Sequence, residues 1–230
     1  MACKPLKAVM GGQPFPTSNS KIILVDARIP QSLRKEPGEV FSYKLTTIEE
    51  SKGSLIQHGT APNYQGGKIT LCTCMHHHRT WPRIDIGTWI AGFSDNASGN
   101  KLFYLMRVEH TVYSFDAMWR SHFIANLAAK SGSRDIFGDL YEPVSMKTSA
   151  NPYNPAFYRH PISGHKHLAR VAWQHDIKFR HWSTRKPHKL LVGEPGKSFL
   201  WRHSRYSYKK PPHPRFRFHE TVTDFLKELK

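Results

Sequence analysis

The segment Trp89-Ile90-Ala91-Gly92-Phe93 and the segment Lys101-Leu102-Phe103-Tyr104-Leu105-Met106-Arg107-Val108-Glu109-His110, joined by Ser94-Asp95-Asn96-Ala97-Ser98-Gly99-Asn100, decide the fold. Two apolar and aromatic runs flank a polar connector rich in Ser, Asp, Asn and Gly, the pattern of a β-hairpin. The connector is longer than the two-residue turn of the tightest hairpins. On either side, residues 21–26, 41–47, 68–74, 189–193 and 199–203 read as further strands. Residues 59–67 contain Pro62 and two glycines and read as an irregular loop placed for ligand contact. Ser114 or Asp116 can cap a helix running to about Ala129, where Lys130 and Gly132 supply a stop. Residues 143–165, rich in Pro, Asn and Tyr, read as an ordered loop or lid. Thr221 opens an amphipathic helix with Val222, Phe225, Leu226 and Leu229 on one face.

Strands thus outnumber helices, without the regular alternation of a doubly wound sheet. The expected architecture is α+β: a mixed, curved or barrel-like β-sheet with flanking helices. Residues 1–20 carry Gly11-Gly12, Pro14 and Pro16 and read as an N-terminal extension, leaving 21–230 as a single domain.

At 230 residues the chain can bury one good-sized core. It carries 34 Lys and Arg against 17 Asp and Glu, a formal net charge of +17 before any of its 15 His is protonated. Such an excess fits a polyanion: nucleic acid or an anionic membrane. A membrane partner needs about 20 consecutive apolar residues or a long basic amphipathic helix. The sequence has neither, so none is expected. Met1-Ala2-Cys3-Lys4-Pro5 lacks the apolar core of a secretory signal, which predicts a cytoplasmic location. Cys72 and Cys74, two apart on one strand, point the same way and read with Cys3 as reduced structural thiols.

Several strings occur in fixed order: Ser42-Tyr43-Lys44, Ala61-Pro62-Asn63, Thr70-Leu71-Cys72, Asp85-Ile86-Gly87-Thr88-Trp89, the hairpin, and Gly138-Asp139-Leu140-Tyr141. Together the chain resembles the nucleotide modification associated domain 2 family. Cys74-Met75-His76-His77-His78-Arg79 and Gly87-Thr88-Trp89 depart from the family's pattern. The resemblance implies DNA carrying hypermodified bases, in a phage or phage-defence setting. The hairpin is also similar to that of pseudouridine-synthase-and-archaeosine-transglycosylase-like (PUA-like) barrels.

Basic residues interleave with aromatics through the second half, with Arg159, Lys166, Arg170, Arg180, Arg185, Lys186, Arg202, Arg205 and Lys209 as candidate DNA contacts. Cations neutralise phosphates and aromatic faces accept bases. His76 and His78 share a strand face but lack a completing ligand set, so no metal is expected. No phosphate-cradling or dinucleotide motif occurs, which favours a reaction without cofactors. Base excision needs the least equipment: a pocket for an everted nucleotide and a carboxylate beside it. Asp139 and then Asp85 are the candidate catalytic acids. Tyr43, Lys44, Asn63, Tyr64, Arg79, Trp81, Arg83 and Tyr141 are the candidate lining of the pocket. The leading expectation is a DNA glycosylase that excises a bulky modified base, such as a glucosylated hydroxymethylcytosine, from phage DNA. The alternatives are a non-catalytic reader of such bases, with a nuclease or repair partner downstream, a base-modifying transferase, or a basic RNA-associated protein.

Overall fold

A computed structural model of the chain describes residues 15–16, 21–25, 28–45, 47–58, 61–72, 81–122, 129–130, 140–144, 150–159, 173–181, 183–187, 189–209 and 216–230. Its strands are β1 (Ile23–Leu24), β2 (Val40–Lys44), β3 (Ile48–Ser51), β4 (Ser54–Gln57), β5 (Thr70–Leu71), β6 (Trp89–Phe93), β7 (Leu102–Val112), β8 (Leu190–Leu200) and β9 (Phe216–His219). Among the described residues, short helices accompany them, including α1 (Phe115–Arg120), α2 (Gln174–Lys178) and α3 (Val222–Lys227).

The predicted hairpin forms: β6 and β7 pair antiparallel, from Trp89 opposite Arg107 to Phe93 opposite Leu102. Its connector is held from within. Ser94 donates to the Ser98 carbonyl at 2.9 Å, and the Asp95 carboxylate accepts the Ser98 amide at 3.0 Å. The mixed α+β class is therefore as expected. The barrel is not. Seven strands form one open sheet in the order β1-β8-β7-β6-β2-β9, with β5 also on β8, and the end strands do not meet. The PUA-like likeness thus rests on the hairpin alone.

Burial on both faces explains why closure is not needed, because a sheet covered on each side has no apolar face left to roll inward. Every residue of β6 is buried. On one face Trp89, Ala91, Phe93, Leu105 and Phe199 pack with Val222 and Phe225 of α3. On the other, Ile90, Tyr104 and Met106 pack with Ile48 and Leu55 of the separate β3–β4 hairpin and with Tyr64 and Trp81. A third cluster, including Phe115, Tyr141, Tyr158 and Ile177, lies against Leu190 and Val192 near the start of β8.

The two late strands expected at 189–193 and 199–203 are halves of one strand. Met106 faces Ser198 and Val108 faces Gly193, so Glu194-Pro195-Gly196-Lys197 are extra residues thrown out of the ladder. Pro195 has no N–H to offer a neighbour, Gly196 takes φ +74°, and Ser198 Oγ closes the excursion on the Glu194 carbonyl at 2.9 Å. The interruption gives β8 two partners on its outer edge: β5 at Leu191 and Val192, and β1 at Phe199 and Leu200.

Both predicted helix caps hold. Ser114 Oγ accepts the Ala117 amide at 3.0 Å, and Thr221 Oγ1 accepts the Asp224 amide at 3.1 Å. The first helix is shorter than expected: Ser121 is extended and its hydroxyl takes the Met118 carbonyl at 2.7 Å, ending α1 at Arg120. Cys72 is buried in the core; Cys3 and Cys74 lie outside the described residues. Of the 1–20 extension, only Phe15 and Pro16 are described, and Phe15 packs on Tyr64 and Phe103. Among the described residues no helix is long and apolar enough to cross a membrane.

Gly92 is required by close approach. A Cβ there would lie 2.2 Å from Tyr104 Cε1 and 2.7 Å from Leu45 Cδ1, and the Tyr104 ring is pinned by the bond from its hydroxyl to Tyr43 at 2.9 Å. Gly92→Ala is expected to destabilise the protein by about 2 kcal/mol through overpacking, read as a lower urea midpoint. A second expectation concerns pH. Burial, with Arg217 nearby, pushes the His219 imidazole down to about 4, and the neutral ring is bonded to the Tyr208 hydroxyl. The unfolded chain therefore binds a proton that the folded chain refuses between about pH 6.5 and pH 4. Stability present above this window is lost as pH falls through it, by about 2–3 kcal/mol. Urea titrations at several pH values should show this loss, and His219→Gln should flatten it.

Candidate nucleic-acid interface

The loop of residues 61–70 is built around a buried cation. Asn63 and Thr70 exchange backbone hydrogen bonds at 2.9 and 2.8 Å. Beneath them lies Lys130, fully buried, whose Nζ donates to the Asn63 carbonyl at 2.8 Å, the Lys68 carbonyl at 2.8 Å and Thr70 Oγ1 at 3.0 Å. The Asn63 side chain is used locally: its oxygen accepts the Gln65 amide at 3.0 Å and its Nδ2 donates to the Lys130 carbonyl at 3.4 Å. Tyr64 is wholly buried between Phe15 and Phe103, and burial raises its phenol well above the usual range. Asn63 and Tyr64 are thus brought together, as framework beneath the loop.

Tyr43 and Trp81 are also core side chains. Lys44 reaches across the sheet edge to Asn96 Oδ1 at 2.6 Å. Arg83 is exposed, lies 4.8 Å over the Phe218 ring, and sits 3.8 Å from Glu39. Asp85 opens a turn through Gly87, which takes φ +88°; its carbonyl accepts the Thr88 amide at 3.0 Å. Its carboxylate is bonded to Lys189 Nζ at 3.0 Å, and that hydrogen bond holds it below the ordinary carboxylate range. Lys189 also donates to the Ile84 carbonyl at 2.6 Å. An ionised, lysine-paired Asp85 cannot serve as a general acid near neutral pH. Asp139 and Arg79 lie outside the described residues, as do Cys74 and His76-His77-His78. Among the described residues no group of three His, Cys, Asp or Glu is placed to hold a metal.

Tyr141 is buried and donates to Asp176 Oδ2 at 2.8 Å. Asp176 is fully buried, yet it is the only acid between His175 and Lys186. The cations around it face outward: Lys178, Arg185 and Lys186 are exposed, as is His175. Arg185 and Lys186 sit on a turn closed by Arg185 N–H to the His181 carbonyl and His181 N–H to the Lys186 carbonyl, both at 2.8 Å. The result is a basic lobe whose one carboxylate is turned inward. Arg180 joins it, with its guanidinium 3.7 Å over the Tyr153 ring. Tyr113, Tyr153, Phe179 and Leu190 border a shallow, partly open crevice with no room for a water molecule.

The remaining candidate contacts scatter. Arg159 is 3.4 Å from Glu142, Arg202 lies 5.7 Å over Phe15, Arg205 is exposed, and Lys209 donates to the Lys227 carbonyl. Lys166 and Arg170 lie outside the described residues. The interleaved aromatics Trp173, Trp201 and Tyr208 are core, Tyr206 is partly buried, and Trp182 lies outside the described residues. Lys130, Tyr153, Asp176 and Lys189 carry much of the local geometry, and the sequence reading gave none of them a site role. Lys130 read only as a helix stop, since nothing in one sequence marks a lysine as buried.

Residues 55–153 match the model of the nucleotide modification associated domain 2 family, the family to which the ordered motifs point. The match associates the protein with nucleotide modification and names no reaction. It includes the Asn63 loop, Lys130, Asp85 and Tyr153, and it ends before the basic lobe. No curated protein and no solved structure matches the chain.

Lys130→Ala removes a buried stem and leaves oxygens of Asn63, Lys68 and Thr70 short of a donor. The expected loss is about 3 kcal/mol, measured by urea unfolding, with faster proteolysis in the 61–70 loop.

Proposed function

We propose that this protein binds DNA carrying hypermodified bases and holds its phosphates on the basic lobe between His175 and Lys186. The observation that supports this reading best is the segregation of charge there, with cations exposed and Asp176 buried against Tyr141. A surface of this kind releases counterions from a phosphate backbone and gives a salt-dependent affinity. The family match supplies the substrate class, nucleotides that have been modified.

Excision of the modified base is the further step within this proposal. Asp85 has the ionised state suited to facing an oxocarbenium-like centre, but Lys189 already neutralises it. In this reading the catalytic acid is Asp139.

The test uses fluorescence anisotropy on unmodified, hydroxymethylated and glucosylated DNA of one sequence. Tighter binding to a modified form supports the proposal, and equal affinity for all overturns it. Replacing Arg185 and Lys186 by Ala should weaken every DNA alike and lower the salt slope by about 2. Alkali-labile sites in modified DNA, lost in Asp139→Asn with binding retained, support excision. Selective binding without such sites makes the protein a reader.

A further inference from the structure

On the DNA-binding reading proposed here, we infer that the stacked pair Arg180 and Tyr153 is a platform for an unpaired base, so that the partner is single-stranded or locally opened DNA. Arg180 lies flat on the Tyr153 ring at 3.7 Å, and its orientation is fixed by Nη1 donating to the Phe179 carbonyl at 3.0 Å. Tyr153 is fixed in turn by its hydroxyl donating to the Tyr113 carbonyl at 3.0 Å. Both side chains are half-exposed, and no carboxylate among the described residues pairs with Arg180. The ring lies against one side of the guanidinium, and in this proposal the base stacks on the opposite side. Tyr113, 46% exposed, adds another ring at the same place.

This combination differs from a surface that only collects phosphates. A lysine cluster binds a polyanion of any shape, whereas a planar cation held on an aromatic ring prefers a flat π-system lying on it. In a closed duplex the base faces are stacked on one another and out of reach; in a single strand each is open. An acidic peptide would satisfy the charge of Lys178, Arg185 and Lys186 and leave the platform idle.

The experiment measures anisotropy of a labelled oligothymidylate and of a matched duplex at equal salt, with the full chain. The wild-type protein is expected to bind the single strand at least tenfold more tightly. Arg180→Lys keeps the charge and loses the plane, so it should weaken the single strand about tenfold, leave the duplex and the salt slope unchanged, and leave the melting temperature unchanged. Lys186→Gln should instead lower the salt slope for both DNAs. Equal affinity for single strand and duplex, an Arg180→Lys variant that binds as the wild type does, or displacement of the oligonucleotide by polyglutamate at equal charge would each overturn the platform. A wild-type protein that binds no DNA of either form would overturn the underlying DNA-binding reading instead.

Discussion

The antiparallel ladder between β7 and β8, each eleven residues long, is the constraint on which the rest hangs. Its partners are distant in sequence, so the chain between them is held only when the two strands find register. One half of the ladder carries the central hairpin and α3. The other half, Leu190 and Val192, roofs the third core cluster, where Tyr141, Trp173 and Ile177 pack. The basic lobe has no core of its own. It rests on that cluster through Trp173 and Ile177.

Charge is handled in three ways on this framework. Where β6 begins, acids and cations are matched: Arg107 with Glu194 at 2.6 Å, Lys197 with Glu36 at 2.9 Å, and Asp85 with Lys189 at 3.0 Å. Within the 61–70 loop, Lys130 is surrounded by carbonyl and hydroxyl oxygens, which stabilise a buried ammonium only because several converge on it. In the lobe, among the described residues, no carboxylate forms an ion pair with Lys178, Arg180, Arg185 or Lys186, and like charges stand close together.

Those three treatments explain what could be read from the sequence. The β6–β7 hairpin was legible because strands covered on both faces are apolar throughout, and Ser114 and Thr221 were legible because caps are local chemistry. The β3–β4 hairpin was not, since Ile48-Glu49-Glu50-Ser51 and Ser54-Leu55-Ile56-Gln57 are short and mostly polar. Strand β9 was hidden because Phe216-Arg217-Phe218-His219 alternates inside a basic tail and looked like surface. At the site, composition disclosed the excess charge and concealed its pairing. Asp85 stood beside Arg83 in sequence, but its partner is Lys189, delivered by the start of β8. Tyr43, Tyr64, Trp81 and Tyr141 are buried; for Tyr64 and Trp81 the polar, Pro-containing sequence around them gave no sign of it.

Reading and excising a base differ in the volume they require. A reader needs a face on which the base can lie; an enzyme that acts on the glycosidic bond needs a recess that surrounds the everted nucleotide. The crevice beside Phe179 is too narrow for water, and Tyr153, one of its lining residues, carries the Arg180 guanidinium, the pair being tied at both ends by backbone carbonyls. Tyr153 ends the family-matched segment and Arg180 belongs to the lobe beyond it. The Arg180–Tyr153 pair is thus one contact between the two regions, and the buried Tyr141–Asp176 bond is another. The lobe is therefore joined to the matched segment by a surface pair of planar side chains and by a buried core cluster beneath it.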